Sequence, residues 1–238
     1  MWDYLDFLLF GIYPYVALSV FLIGSLIRFD REQYGWRSGS SQLLRARQLR
    51  WGSNLFHIGV LFILAGHFVG LLTPHAIYTL VITPAQKQML AIVSGGIAGV
   101  VCFIGLTMLI HRRLADPRIR ATSSPMDIAI LLLIWSQLVL GLVTLPFSLG
   151  HRDGTVMIQL SEYIQHIVTF RGGAVDLAAG LDWPFRAHLL LGMTLFLLFP
   201  FSRLVHIWSV PVGYVYRPYQ VVRRRGGRSS LPAGGGRR

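Results

Sequence analysis

Five apolar runs dominate the sequence: about Leu5 to Ile27, Asn54 to Leu72, Met89 to Ile110, Ile128 to Leu149 and Phe185 to Trp208. Each is near or above the ~20 residues a helix needs to cross the hydrocarbon of a bilayer. Lipid offers backbone groups no partner, so an apolar run inside it satisfies its N–H and C=O groups as a helix. The expectation is an all-α membrane protein with five transmembrane helices. Composition agrees, because only 13% of residues are charged against roughly 25% in soluble domains. The first run contains Tyr13 and Pro14 and is followed by RFDREQYGWR. That lacks a small-residue cleavage site, so the run reads as a retained helix and not as a removed signal. Residues 1–225 are expected to form one domain. The Gly- and Arg-rich stretch 226–238 is too polar to fold alone and is expected to be a disordered tail.

Short loops rich in Lys and Arg stay cytoplasmic. Arg28, Arg31, Arg37, Arg45, Arg47 and Arg50 follow the first run, and Arg112, Arg113, Arg118 and Arg120 follow the third. Arg217, Arg223, Arg224, Arg225, Arg228, Arg237 and Arg238 follow the fifth, while the connections on the opposite side offer Lys87, Arg152 and Arg171. This asymmetry predicts an outer N-terminus and a cytoplasmic C-terminus. The formal charge of +12 is then mostly a topology signal. Its counter-charges are membrane lipid headgroups and an acidic partner surface on the cytoplasmic face, not nucleic acid. The single cysteine, Cys102, excludes an intrachain disulfide and an iron–sulfur cluster held by this chain alone. No C-x-x-C-H for covalent haem, no solenoid repeat and no phosphate loop is present.

The second run, NLFHIGVLFILAGHFVG, carries His57 and His67 and no other ionisable side chain. With the expected topology His57 lies near the cytoplasmic face and His67 toward the outer half. The fifth run is antiparallel to it and carries His188 near its outer start and His206 near its inner end. The pairs are therefore His57 with His206 and His67 with His188. At ~1.5 Å per residue the two separations are ~15 Å and ~27 Å, a mismatch of ~12 Å that helix tilt and a kink at Pro200 would absorb. One intramembrane histidine reads as a core residue bonded to a neighbouring helix. Four in matched pairs mark function, and imidazole is a standard axial ligand of haem iron. His75, His111, His151 and His166 fall in loops or at interfaces and are assigned no metal.

Small and basic residues near the pairs have two readings each. Gly59, Gly66 and Gly192 either cradle a planar porphyrin or pack helices, and the GGIAG of Gly95 to Gly99 reads as packing. Arg203, Arg112 and Arg113 either hold haem propionates or snorkel to headgroups.

The segments FGIYPYVALSVFLIGSLIRFDREQYGWRSGSSQ, SNLFHIGVLFILAGHFVGLLTPH, RATSSPMDI and RAHLLLGMTLFLLFPFSRLVHIWSVPV strongly resemble the gamma subunit of respiratory nitrate reductase, a di-haem cytochrome b. The resemblance runs from about Asp6 to Arg224. It implies two b haems between helices two and five, with iron held by His57 and His206 near the cytoplasm and by His67 and His188 on the outer side. It also implies a multi-pass subunit of the inner (cytoplasmic) membrane of a bacterial- or archaeal-type cell. Such a subunit oxidises a menaquinol or ubiquinol and passes electrons to an iron–sulfur beta subunit and a molybdenum-containing alpha subunit. Lys87, placed just before the third helix, reads from spacing alone as an interfacial anchor. The resemblance makes it a quinol contact, although TPAQKQML departs from a strict match around it. Two other classes stand beside this one: a similar cytochrome b of another respiratory oxidoreductase, and a haem-free anchor or metal transporter using the same histidines.

Overall fold

The computed structural model describes residues 2–32, 44–209, 216 and 218. In chain order its helices are α1 (Asp3–Arg31), α2 (Ala46–Leu72), α3 (His75–Tyr78), α4 (Pro84–Ala115), α5 (Pro117–Ala121), α6 (Pro125–Gly150), α7 (Thr155–Val168), α8 (Ala174–Ala179) and α9 (Trp183–Leu198). Five are long and apolar enough to cross a membrane: α1, α2, α4, α6 and the span Trp183–Phe201 that contains α9. The tail 226–238, Arg37, Arg217 and the arginines from Arg223 onward lie outside the described residues.

Helix starts follow from local chemistry. Thr83 Oγ1 accepts from the Gln86 backbone N–H while the Gln86 side chain accepts from Thr83 N–H, and Ser124 and Asp127 repeat the arrangement. Each of these capping boxes is followed by a proline at the first helical position, where its missing N–H costs nothing. Lys87 consequently lies inside the first turns of α4 and not just ahead of it.

The principal packing runs from α2 to α4, α4 to α6, α6 to α9 and α9 to α1, and α2 also meets α7. α2 with α9 is not among the principal packed pairs, so a groove runs between them. Glycines let α2 and α4 approach. A Cβ on Gly105 would stand 2.3 Å from the Phe56 nitrogen, and one on Gly59 2.6 Å from Cys102 Cβ. Gly59 is thus a packing residue and not part of a cradle. Gly99 and Gly96 face Leu142 and Leu145 of α6, in keeping with the packing reading of that stretch.

Two features depart from five simple spans. The connection between α6 and α9 holds α7, an amphipathic helix that turns Val156, Leu160, Tyr163 and Ile167 inward at helical spacing. It fastens the start of α1 to the end of α2. Gln165 donates to Leu71 O (2.9 Å) at the end of α2, and the Tyr163 hydroxyl donates to Phe10 O (3.1 Å) in the π-helical turn Phe7–Ile12 of α1.

The fifth run is not one helix. α9 stops at Leu198, a 3-10 turn covers Phe199–Phe201, Ser202 is extended (φ −118°, ψ 178°), and a second 3-10 segment covers Arg203–Ser209. Pro200 supplies no N–H to the helical ladder and its ring obstructs the preceding turn. Ser202 Oγ then accepts from Leu204 N–H and starts the new segment (3.2 Å). The straight-helix rise from His188 to His206 therefore does not apply.

Gly105→Ala should lower the thermal stability of the detergent-solubilised protein by about 1–3 kcal/mol, the usual cost of overpacking a tight contact. Gly95→Ala, which meets no atom within 4 Å, should be near neutral in the same unfolding measurement.

Candidate functional site

The four intramembrane histidines meet in the two pairs expected. The ring centroids of His57 and His206 are 6.4 Å apart at an interplanar angle of 71°, and those of His67 and His188 are 6.1 Å apart at 37°. Every ring has its Nδ1 beside a main-chain carbonyl: Ser53 O for His57 (2.7 Å), Ile63 O for His67 (2.8 Å), Gln137 O for His188 (3.1 Å) and Arg203 O for His206 (2.6 Å). A carbonyl only accepts, so Nδ1 carries the proton and the lone pair is on Nε2. That is the outer hydrogen bond by which ligating histidines are oriented.

The spacing suits a metal between the rings. With metal–imidazole bonds near 2 Å on each side, facing imidazoles have centroids about 6 Å apart. Among the described residues no three of His, Cys, Asp and Glu come together. A pair alone is too few for a protein-ligated zinc site, whereas a haem brings its own equatorial nitrogens and asks the protein for two axial ones. The α2 rings, His57 and His67, are exposed toward the groove, and the position of a Cβ on Gly66 is open space. The residues present fit a bis-histidine haem at each level.

Each pair has its own support. At the His67/His188 level, Gln137 of α6 gives His188 its carbonyl acceptor and donates its side-chain amide to His188 O (3.0 Å). A Cβ on Gly141 would stand 3.0 Å from the His188 ring, and one on Gly192 3.1 Å from the Gln137 amide. Gly192 thus makes room for Gln137, not for a porphyrin edge. At the His57/His206 level, the Asp127 carboxylate, only 4% exposed, meets Arg203 Nε at 2.5 Å and Arg113 Nη1 at 3.7 Å. Arg203 is also the residue whose carbonyl holds His206. Arg28 of α1 donates to Pro200 O (2.8 Å) and Ser202 O (3.1 Å), the carbonyls freed where the fifth span breaks.

Of the three arginines singled out by sequence, Arg203 and Arg113 therefore converge on Asp127, and Arg112 donates to Leu44 O (2.7 Å). Asp127, Gln137 and Gly141 carry no role in the sequence analysis, and Arg28 appears there only as a topology charge. Gln137 had a signal, being the one amide within the fourth apolar run. Asp127 also had one, as the third residue after Ser124 in a capping-box pattern.

Lys87 is buried, 7% exposed, with its Nζ 3.7 Å from the Tyr78 ring centroid. Neither Lys87 Nζ nor the Tyr78 hydroxyl has a hydrogen-bond partner among the described residues. The remaining histidines sit at helix ends. His75 lies edge-on to Tyr78, His111 lies against Gln48, and His151 and His166 lie against the carbonyls of Phe147 and Gly172.

A family model described as nitrate reductase gamma subunit matches residues 6–225. The chain is 53% identical over 223 residues to the respiratory nitrate reductase 1 gamma chain of Escherichia coli (strain K12), covering 94% of this chain and 99% of that one. It is 50% identical over 225 residues to the respiratory nitrate reductase 2 gamma chain of the same organism, covering 94% and 100%. It is 37% identical over 219 residues to the nitrate reductase gamma chain of Bacillus subtilis (strain 168), covering 92% and 98%.

Asp127→Ala removes the carboxylate that holds Arg203 and leaves two guanidinium groups facing each other. If each histidine pair holds a haem, the His57/His206 site should lose it before the His67/His188 site, so haem content measured by pyridine haemochrome and difference spectroscopy should fall toward half of the parent value. Equal loss at both levels would show that Asp127 supports the whole bundle and not His206 in particular.

Proposed function

The chain belongs to the nitrate reductase gamma subunit family, and from that premise we propose that it is the membrane cytochrome b subunit of a respiratory nitrate reductase. It oxidises quinol near the outer face of the cytoplasmic membrane. It delivers electrons by way of two b haems to an iron–sulfur beta subunit on the cytoplasmic side, for nitrate reduction in a molybdenum-containing alpha subunit. The observation that carries this reading is the pair of facing imidazoles at each of two levels of one groove, 6.4 Å and 6.1 Å between centroids. An N-terminus outside and a C-terminus inside, argued from the arginine asymmetry, puts His67 and His188 at the outer level.

Haem iron, held by His57 with His206 and by His67 with His188, would supply one-electron transfer. The protein's own part is to fix the ligands. Four main-chain carbonyls hold the Nδ1 protons, Gln137 and Gly141 seat the His188 ring, and Asp127 with Arg28 seats the segment bearing His206. Lys87, at the outer start of α4, can donate from its ammonium to a quinol oxygen. Oxidation of each quinol releases two protons and two electrons. With the protons leaving outside and the electrons delivered inside, each charge moved across the membrane is worth ~2.3 kcal/mol per 100 mV.

Replacing His67 or His188 by Ala should remove the outer haem and leave the inner one, and replacing His57 or His206 should remove the inner haem or both. Haem counted per protein in the four variants decides the pairing. Loss of the same single haem in His57→Ala and His188→Ala would sink it.

Lys87→Ala should impair quinol-driven reduction of both haems while reduction by a small artificial donor stays near the parent rate. Lys87→Arg keeps the charge but offers a planar fork in place of a compact donor, and should recover only part of the quinol rate. Full recovery would favour an interfacial anchor, since Arg snorkels as well as Lys.

A further inference from the structure

We propose that Asp127 is a positioning residue of the His57/His206 level whose buried carboxylate also sets that level's reduction potential, holding it below the value that the surrounding arginines alone would give. This rests on the reading that the two imidazoles hold haem iron, and goes beyond the loss of cofactor expected of Asp127→Ala.

Three contacts fix the carboxylate. One oxygen meets Arg203 Nε at 2.5 Å. The other lies 3.7 Å from Arg113 Nη1 and accepts from the Ser124 N–H at 3.0 Å, within the capping box that starts α6. Arg203 joins this cluster to the histidine, because its side chain meets Asp127 while its main-chain oxygen takes the His206 Nδ1 proton at 2.6 Å. A carboxylate at this helix position needs no guanidinium to cap a helix, and two loop arginines need no buried acid to orient a chain. Their meeting beside His206 puts a fixed charge next to whatever metal the imidazole holds.

Burial decides which charge of the cluster acts furthest. The Asp127 side chain is 4% exposed, against 23% for Arg113 and 38% for Arg203. Exposed charges are screened by water and salt far more than buried ones. The two guanidinium fields are therefore damped and the carboxylate field is not. Arg28, the cation at the break in the fifth span, has its own partner in Glu32 at 3.4 Å.

Reduction adds one electron and lowers the charge of the iron by one. A nearby negative charge favours the more positive, oxidised state and lowers the potential, and a positive one raises it. A second route has the same sign: a carbonyl accepting from Nδ1 makes the imidazole a more basic ligand, and Asp127 holds that carbonyl in place through Arg203. The effect is local to one level. Gln137, which supports His188, lies ten residues further along α6, or ~15 Å at the rise of a helix.

The test is a redox titration of the assembled complex in membranes, followed at the b-type absorption bands, with haem per protein measured on the same samples. His57→Ala and His206→Ala identify the one-electron component of their level. Asp127→Asn keeps an oxygen for Arg203 and removes the charge. In that component its ferrous-to-ferric ratio at fixed ambient potential should rise roughly 3- to 10-fold, an upward shift of about 30 to 60 mV. The other component should change less than about twofold on the same scale. Asp127→Glu keeps the charge and should stay near the parent. Arg113→Gln takes a positive charge from the same cluster and should move the same component downward, by less because Arg113 is more exposed.

An Asp127→Asn variant with parental haem content and an unmoved potential overturns the proposal and leaves Asp127 as a fastener alone. Equal shifts of both components, or a shift in Asp127→Glu as large as that in Asp127→Asn, overturn it too. If Asp127→Asn loses the cofactor, Arg113→Gln decides: a downward shift of the one component supports the proposal, and no shift or an upward one overturns it. Retention of both components in His57→Ala and His206→Ala would instead remove the haem reading on which the proposal rests.

Discussion

The half of this molecule that carries His57 and His206 depends on one cation meeting two carbonyls. A helix that breaks inside a membrane exposes C=O groups where no water can take them. The fifth span breaks after Leu198, and Arg28, reaching from α1, donates to Pro200 O and Ser202 O. Because that break is stabilised, the chain can leave its helical course and carry His206 to within 6.4 Å of the His57 ring centroid. Gly24 of α1 makes room for the same contact, since a Cβ there would stand 2.8 Å from Pro200. Helix one thus shapes the surroundings of His57 and His206 without contributing a histidine to them.

The two histidine levels are held by different chemistry. Charges surround the inner one: Arg28 at the break, Asp127 with Arg113 and Arg203 beside it. Neutral groups surround His188: an amide, a main-chain carbonyl and a glycine. Charged side chains deep in hydrocarbon are costly, whereas long ones near a helix end reach the interface. The arginine asymmetry of the sequence and the ionic support of the His57/His206 level therefore draw on the same residues. Arg28 and Arg113 count toward orientation, and both are also structural fasteners. A loop charge read only as a topology signal conceals that second use.

The elements most legible in the sequence were those set by a single period or a single length. Five spans follow from apolar run length, and the histidine partners follow from running two such spans antiparallel. The partnering survived although its geometric support did not. The ~12 Å mismatch came from treating Phe185 to Trp208 as one straight helix, and Pro200 with Ser202 ends that helix early. What remained hidden depends on side chains from different helices arriving together. Gln137 reaches His188 because Gly192 and Gly141 leave room, and Tyr78 of the short α3 lies under Lys87 of α4. No period in one segment encodes such a meeting. α7 was overlooked for another reason: its inward stripe of Val156, Leu160, Tyr163 and Ile167 is regular, but too short to register as a span.

The exposed face of α2 bears on how the protein matures. Its glycines fasten it to α4, while the face carrying His57 and His67 turns toward the groove. On the proposed reading, that face acquires its packing partners from a molecule that is not polypeptide. Ligand affinity and conformational stability then become one thermodynamic quantity, since whatever binds the native state alone stabilises it by mass action. Cofactor supply in the cell would set how much of this chain persists, and a shortage would register first as turnover of the protein rather than as a slower enzyme.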